Sequence, residues 1–186
     1  MPRVIVIAGP SGGGKGTLIR GLLQRMPELE LSISATTRGP RPGERDGAHY
    51  HFLAPEEFER RVQAGDFVEH ASYLGRRYGT LRAELERRTA AGHSVVLEIE
   101  VQGARQVREA MPDALQVLIV PPSLDALRAR LVGRGTDAPE QIEQRLRTAE
   151  TELTARPEFA HAIVNDRLEQ ATDELVEIIR GGLADG

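Results

Sequence analysis

Short apolar runs alternate with amphipathic stretches along most of the chain. The apolar runs are typical of strands buried on both faces of a sheet, and they lie at 3–8, 31–34, 94–100, 115–120 and 161–165. The stretches between them predict helices over 16–26, 55–64, 81–91, 102–111, 124–133, 139–155 and 168–181. This alternation predicts an α/β fold, in which a mostly parallel sheet carries helices on its faces.

Two segments interrupt the alternation. Residues 34–80 combine strand-like pieces with a polar loop rich in arginine, proline and glycine, which predicts a small antiparallel insert. Its strand-like pieces lie at 49–53 and 66–73. Residues 131–138 place an arginine between glycines where two predicted helices meet, and this composition suits a mobile lid.

We predict a single domain over 1–186, because no linker divides the chain. Its core would comprise 1–33, 81–130 and 151–186, its insert 34–80, and its lid about 131–150.

Composition narrows the class of protein. The 186 residues are 40% hydrophobic and 28% charged, which is ordinary for a globular domain. A net charge of -4 offers no basic footprint for nucleic acid, and the absence of cysteine excludes disulfides and thiolate metal sites. The sequence has no signal-peptide pattern and no apolar run of membrane-spanning length, so a cytoplasmic protein without a membrane partner is expected.

The strongest chemical signal lies between the first predicted strand and the first predicted helix. The segment GPSGGGKGT is glycine-rich, so its backbone N–H groups can converge on phosphate oxygens while Lys15 reaches the β- and γ-phosphates. Lys15 is the one lysine among 24 basic residues, which argues against a merely flexible turn. The segment therefore predicts ATP binding by Gly9, Pro10, Ser11, Gly12, Gly13, Gly14, Lys15, Gly16 and Thr17.

Position 16 departs from the strict phosphate-loop pattern, in which serine or threonine follows the lysine. Gly16 supplies no hydroxyl, so Mg²⁺ is expected to be held through the nucleotide and water, with Thr17 as the nearest helper. A GTPase that reads guanine with an Asn-Lys-x-Asp loop is excluded, because the chain has no second lysine.

A second cationic segment opens the predicted insert. Arg38 and Arg41 stand on a proline-stiffened loop, and two forked guanidinium groups at this spacing suit a phosphate dianion. Tyr50 and Tyr78 add phenolic hydroxyls within the same insert. On these residues alone, a solvated basic loop with the tyrosines packed in a small core is an equal alternative.

The segments GPSGGGKGT, SATTRGPRPGE, GAHYHF, FVEHASYLGRRYGT, LEIEVQGARQVR, LIVPPSL, LVGRGTD and IVND follow one another along the chain. In these words and in their order, the sequence closely resembles guanylate kinases over nearly its whole length. The resemblance implies a P-loop three-layer core, a small insert that binds the nucleoside monophosphate, and a helical lid. It also implies Mg²⁺-dependent transfer of the γ-phosphoryl group of ATP to GMP or dGMP.

The resemblance assigns roles residue by residue. The residues that resemble ligands of the GMP phosphate are Arg38, Arg41, Tyr50 and Tyr78. Those that resemble readers of guanine are Ser34, Glu69, Thr80 and Glu100, of which Glu100 stands where the family often has aspartate. The catalytic cations would be Lys15, Arg38, Arg134 and Arg145, the last two on the lid. Arg130 and Asn165 resemble positions beside the ATP base, and Glu98 is expected to orient magnesium-bound water.

The chemistry of the base independently favours guanine. Guanine presents N1–H and N2–H₂ donors that carboxylates such as Glu69 and Glu100 can accept, while the hydroxyls of Ser34 and Thr80 can donate to O6. Adenine presents an acceptor at N1, which a carboxylate repels. A site whose buried polar groups lose their partners with the wrong base discriminates by roughly 10⁴-fold or more.

Two alternatives remain at this stage, and the oligomeric state is open. A kinase of the same architecture acting on AMP or dTMP shares the Gly16-Thr17 loop ending, so only the acceptor segment argues against it. A binding module that has lost catalysis and grips a peptide shares the fold, but the intact phosphate loop argues against this reading.

Overall fold

Two sheets organise the computed structural model, which describes residues 3–135 and 137–184. Its strands are β1 (Val4–Ala8), β2 (Leu29–Leu31), β3 (Ala35–Thr36), β4 (His51–Phe52), β5 (Phe67–Tyr73), β6 (Arg76–Leu81), β7 (Ser94–Ile99), β8 (Leu115–Val120) and β9 (His161–Val164). Its helices are α1 (Lys15–Arg25), α2 (Pro55–Gln63), α3 (Arg82–Ala90), α4 (Val101–Ala110), α5 (Leu124–Gly133), α6 (Pro139–Leu153) and α7 (Leu168–Ala184), and a 3-10 turn lies at Arg156–Glu158.

The larger sheet is parallel and forms the core, as the alternation of strands and helices predicts. Its strands stand in the order β2-β7-β1-β8-β9, and every neighbouring pair is parallel. Side chains of β1 alternate between the two faces. Ile5 and Ile7 pack with α1 and α7, whereas Val4 and Val6 pack with α3 and α4. The α/β fold is therefore three-layered.

The five predicted core strands and seven predicted helices are all present, with small shifts at their ends. The largest shift concerns β2, which lies at Leu29–Leu31 instead of 31–34. Ser32 still donates its amide to the carbonyl of Val96, but the chain then leaves the core sheet for the insert. There the carbonyl of Ser34 accepts from the amide of His51.

The insert carries the smaller sheet, in the order β4-β3-β6-β5. The strand-like pieces at 49–53 and 66–73 contain β4 and β5, while β3 and β6 were not predicted. The sheet is mixed rather than wholly antiparallel, because β3 and β4 pair in parallel and the other pairs are antiparallel. The long polar connection between β3 and β4 allows this, since it returns the chain to the end of the sheet at which β3 began.

The helices α5 and α6 form a hairpin that includes most of the predicted lid. They pack through an apolar cluster made of Leu127, Leu131, Ile142, Leu146 and Ala149. Of the predicted lid, Thr136 lies outside the described residues. Among the helices of 3–135 and 137–184, none is both long enough and apolar enough to cross a bilayer.

Gly9 directly follows β1, at a point where the chain approaches β8 closely. Its φ is 142°, and a Cβ atom there would lie 2.3 Å from the carbonyl oxygen of Ile119. We expect Gly9→Ala to lower the free energy of unfolding by about 3 kcal/mol or more, measured by urea denaturation. The backbone strain of alanine at this φ adds to the steric overlap of its Cβ with Ile119.

Gly43→Ala is the matched control for Gly9→Ala. Gly43 also has a positive φ, of 87°, but within the described ranges no atom lies within 4 Å of its Cβ position. This variant should cost about 1 kcal/mol, from backbone strain alone. Equal losses in the two variants would show that the approach of β1 to β8 is not what requires glycine.

Candidate active site

A cavity of about 730 Å³ opens beside the carboxyl ends of β1 and β7, where ligands bind in open α/β sheets. The phosphate loop, the insert, the end of β7 and the lid hairpin all line it. The predicted site residues among its lining are Pro10, Ser11, Gly12, Gly14, Lys15, Gly16, Ser34, Arg38, Arg41, Tyr50, Glu69, Tyr78, Glu98, Glu100, Arg134 and Arg145. The remaining predicted site residues lie outside this lining, and they are Gly9, Gly13, Thr17, Thr80, Arg130 and Asn165.

The phosphate loop wraps around the side chain of Lys15. The ammonium donates to the carbonyl oxygen of Gly9 at 2.5 Å and to that of Pro10 at 3.3 Å, and the residue is only 7% exposed. Gly14 caps α1 with a φ of 91°, a left-handed conformation that glycine adopts without strain. The loop therefore presents the N-terminus of α1 and one ammonium to the same side of the cavity.

Asn165 and Arg130 support this loop from behind. The Asn165 side-chain amide donates to the carbonyl of Gly13 at 2.9 Å, and Arg130 donates to the carbonyls of Asn165 at 2.7 Å and Gly13 at 3.4 Å. Asn165 is 5% exposed. The structure thus joins β9 and α5 to the phosphate loop, and it places both side chains against the loop backbone.

Arg38 is held on the insert by a carboxylate that was not predicted. Its two terminal nitrogens donate to the two oxygens of Glu44, both at 2.9 Å, and its guanidinium lies 5.1 Å from the centre of the Tyr50 ring. Glu44 also accepts from the amide of Arg41 at 2.7 Å. The hydrogen bond from Arg38 holds the pKa of Glu44 below its usual range. The signal for this pair was available in the sequence, because Glu44 closes the same turn as Arg41.

Glu69 supplies a buried carboxylate at the insert side of the cavity. It is 3% exposed, and burial, with a smaller contribution from the charge of Glu100, raises its pKa to about 7. The hydroxyl of Thr80 donates to Glu69 at 2.8 Å across the β5–β6 pair, which opposes that rise. The Thr80 proton is thus directed at Glu69 and not at the cavity.

Gly103, in the first turn of α4, leaves the space that Glu69 occupies. A Cβ atom on Gly103 would lie 2.4 Å from Oε2 of Glu69 and 3.1 Å from its Cδ. This contact joins residues 34 positions apart and was not predicted from the sequence. The position of the Glu69 carboxylate therefore depends on the absence of a side chain at position 103.

The acidic end of β7 faces the phosphate loop. The two carboxylate oxygens of Glu98 lie 3.6 Å from the Cβ position of Gly16, which puts this carboxylate in van der Waals range of the loop at position 16. Thr17 is exposed and its hydroxyl accepts from Arg20 at 3.1 Å on the surface of α1. Among the described residues, no group of three or more His, Asp or Glu side chains has the arrangement of a metal site.

Glu152 of α6 adds a carboxylate that the sequence analysis missed. Burial raises its pKa, the charge of Lys15 lowers it, and the charge of Glu100 raises it further. Only the spatial arrangement brings it near the phosphate loop, because it is far from that loop in sequence.

The lid contributes Arg134 and Arg145. Arg134 follows the last turn of α5 and lines the cavity. Arg145 on α6 donates to the hydroxyl of Ser11 at 2.5 Å and to Asp137 at 3.1 Å. This contact ties the lid hairpin directly to the phosphate loop, and neither Asp137 nor the link to Ser11 was predicted.

Comparison with known proteins agrees with this geometry. The family model described as guanylate kinase matches residues 1–181. The chain is similar to a guanylate kinase of Frankia casuarinae, with 53% identity over 95% of this chain and 96% of the relative. It is similar to one of Rubrobacter xylanophilus, with 50% identity over 99% and 96%.

A solved structure agrees as well. The crystal structure of guanylate kinase from Anaplasma phagocytophilum matches with a TM-score of 0.77 and 31% identity, over 97% of this chain and 85% of that one. The matching model, the relatives and the structure all extend over nearly the full length. The chain therefore belongs to the guanylate kinase family of phosphotransferases.

Proposed function

We propose that this chain transfers the γ-phosphoryl group of ATP to GMP, and to dGMP, to give ADP and GDP. The observation that carries the proposal is the cavity itself. It brings the buried carboxylate of Glu69 and the buried ammonium of Lys15 to one space of about 730 Å³. A carboxylate suits the donor edge of guanine, and the loop around Lys15 suits the phosphates of ATP.

Guanine recognition would use the carboxylates of Glu69 and Glu100 as acceptors for N1–H and N2–H₂. Ser34 lines the cavity and is the hydroxyl we assign to O6. Since the Thr80 hydroxyl donates to Glu69, we assign Thr80 the task of orienting that carboxylate. A buried, oriented acceptor rejects adenine, because its own hydrogen bonds are lost with the wrong base.

Phosphoryl transfer would proceed by alignment and charge neutralisation. The acceptor oxygen of GMP already carries negative charge, so no general base is needed. Arg38, Arg41, Tyr50 and Tyr78 are the proposed ligands of the GMP phosphate. The proposal places four cations around the transferring group, namely Lys15, Arg38, Arg134 and Arg145. Fixed cations stabilise the negative charge that is spread over this group during transfer.

The residues beside the phosphate loop fit a nucleotide-borne Mg²⁺. This ion prefers oxygen ligands, keeps several waters, and is commonly bound through one or two carboxylates plus phosphates. Glu98 beside Gly16 provides such a carboxylate, whereas the exposed Thr17 hydroxyl is a weaker candidate. When bound, the ion would neutralise charge on the β- and γ-phosphates.

We also propose that the chain works as three segments, a core (1–33, 81–130 and 151–186), an insert (34–80) and a lid (about 131–150). The glycines on either side of Arg134 support hinge motion of the lid, and closing over both nucleotides would exclude water.

A panel of nucleoside monophosphates tests the proposed reaction. We expect purified protein with ATP and Mg²⁺ to release ADP with GMP and dGMP, and to do so at least about 10⁴-fold less efficiently, in kcat/KM, with AMP or dTMP. Lys15→Ala, which should lose most turnover, controls for contaminating kinases. Turnover of AMP or dTMP in preference to GMP would refute the acceptor assignment, and an inactive wild-type protein would favour a binding module.

The pKa of Glu69 predicts a pH dependence for GMP. With a pKa of about 7, roughly a tenth of the carboxyl groups are ionised at pH 6 and roughly nine-tenths at pH 8. Because the ionised form accepts the guanine donors, the KM for GMP should be about 10-fold lower at pH 8 than at pH 6.

The matched variant for this pH dependence is Glu69→Gln, which cannot titrate. It should bind GMP more weakly, and its pH profile should retain only what the GMP phosphate contributes, since that group has its own pKa of about 6. Superimposable profiles for the variant and the wild type would remove Glu69 from the guanine site.

Gly103→Ala should impair GMP binding without harming the fold. The new Cβ would displace the Glu69 carboxylate, and we expect the KM for GMP to rise about 10- to 100-fold with the KM for ATP unchanged. The control is Gly181→Ala in α7, where the described part of the chain has no atom within 4 Å of the Cβ position. Alanine favours both helices by up to about 1 kcal/mol. A wild-type KM for GMP in Gly103→Ala would contradict the proposed dependence on Gly103.

A further inference from the structure

Tyr73 stands at the meeting point of the insert, the lid and the phosphate loop. It ends β5, faces Arg76 across a tight hairpin turn, and lines the cavity. The guanidinium of Arg145 lies 5.5 Å from the centre of its ring, within the range of a cation–π interaction. Tyr73 is thus an insert residue in contact with Arg145, the proposed lid cation.

Arg145 is constrained in three directions by three separate parts of the chain. One terminal nitrogen donates to Ser11 of the phosphate loop, the other donates to Asp137 of the lid hairpin, and the guanidinium lies over the Tyr73 ring. The side chains of Arg145 and Asp137 are 13% and 10% exposed, so this cluster is largely removed from water. Cation–π contacts are stronger when they are desolvated.

The two kinds of partner act on different parts of the guanidinium. An aromatic ring contacts its flat face and leaves the N–H edges free, whereas a carboxylate occupies an edge. Among the described residues, the buried Nε of Arg145 and the buried hydroxyl of Tyr73 make no well-formed hydrogen bond. Burial raises the pKa of the Tyr73 hydroxyl, and the neighbouring Ser11 hydroxyl and the charge of Arg145 lower it. The contact of Tyr73 with Arg145 is made by its ring, which fixes the plane of the cation without using a donor that a phosphate needs.

We propose that Tyr73 is a positioning residue for Arg145, whose guanidinium it holds edge-on to the phosphate loop. This inference rests on the proposed phosphoryl transfer, in which Arg145 acts on the moving group. Since Tyr73 belongs to the insert and Arg145 to the lid, the orientation of the cation depends on how these two segments meet. The contact thereby links the GMP side of the cavity to the ATP side.

A double-mutant cycle on Tyr73 and Arg145 tests the proposal. We expect Tyr73→Leu to lower kcat about 5- to 20-fold with the KM for GMP within about 2-fold of wild type. In an Arg145→Ala background the same substitution should change kcat by less than about 2-fold, because the group it positions is gone. Tyr73→Phe keeps the ring and should retain at least about half of the wild-type kcat.

Ser72→Ala, at the exposed neighbouring position of β5, is the control, and thermal unfolding of every variant shows whether the fold persists. Additive losses in the double variant would overturn the proposal, as would a wild-type kcat in Tyr73→Leu or an equal loss in Tyr73→Phe. If the wild type fails to phosphorylate GMP, the proposed function fails separately. The same cycle is then measured in the Kd for ATP, where non-additivity supports the positioning role and additivity overturns it.

Discussion

The buried ammonium of Lys15 is the constraint around which the cleft is arranged. A charge with so little exposure must keep hydrogen-bond partners, and here the carbonyls of its own loop supply them. The loop can adopt this shape because Gly9 lets β1 approach β8, and because Asn165 holds the carbonyl of Gly13. On the opposite side Arg145 contacts Ser11. Segments from both ends of the chain therefore support one short loop.

The remaining charges of the cleft are distributed in a way that suits two anionic ligands. Arg38 is paired with Glu44 in a two-pronged hydrogen bond, which orients the guanidinium while the Tyr50 ring lies against it. Within the described part of the chain, Glu69 has no cationic partner of this kind, and its raised pKa reflects burial beside another acid. The site thus combines oriented cations with a carboxylate kept ready for a hydrogen-bond donor.

Local pattern was enough to predict the core sheet, the helices and the phosphate loop, because these depend on apolar periodicity and on short contiguous motifs. Other lining residues, such as Ser34, Glu69 and Arg145, were expected from the resemblance to guanylate kinases. It failed where long-range pairing decides the structure. The strand β6 contains Gly79 and no clear alternation, and its pairing with β5 and β3 makes it a strand. The roles of Gly103 and Tyr73 depend on contacts between distant segments. The sequence shows which residues stand at these two positions, but not which distant residues they contact in the fold.

Because the chain uses arginine at its other basic positions, the phosphate loop carries the one lysine side chain of the sequence. Reagents that acylate side-chain amines find one target in these 186 residues, and that target is enclosed by the backbone it donates to. The rate of acylation by a reagent in the cavity would then report how often the loop carbonyls release the ammonium, without interference from other lysines. The arginines elsewhere keep their positive charge and their forked donors, and they do not react with a reagent that acylates amines.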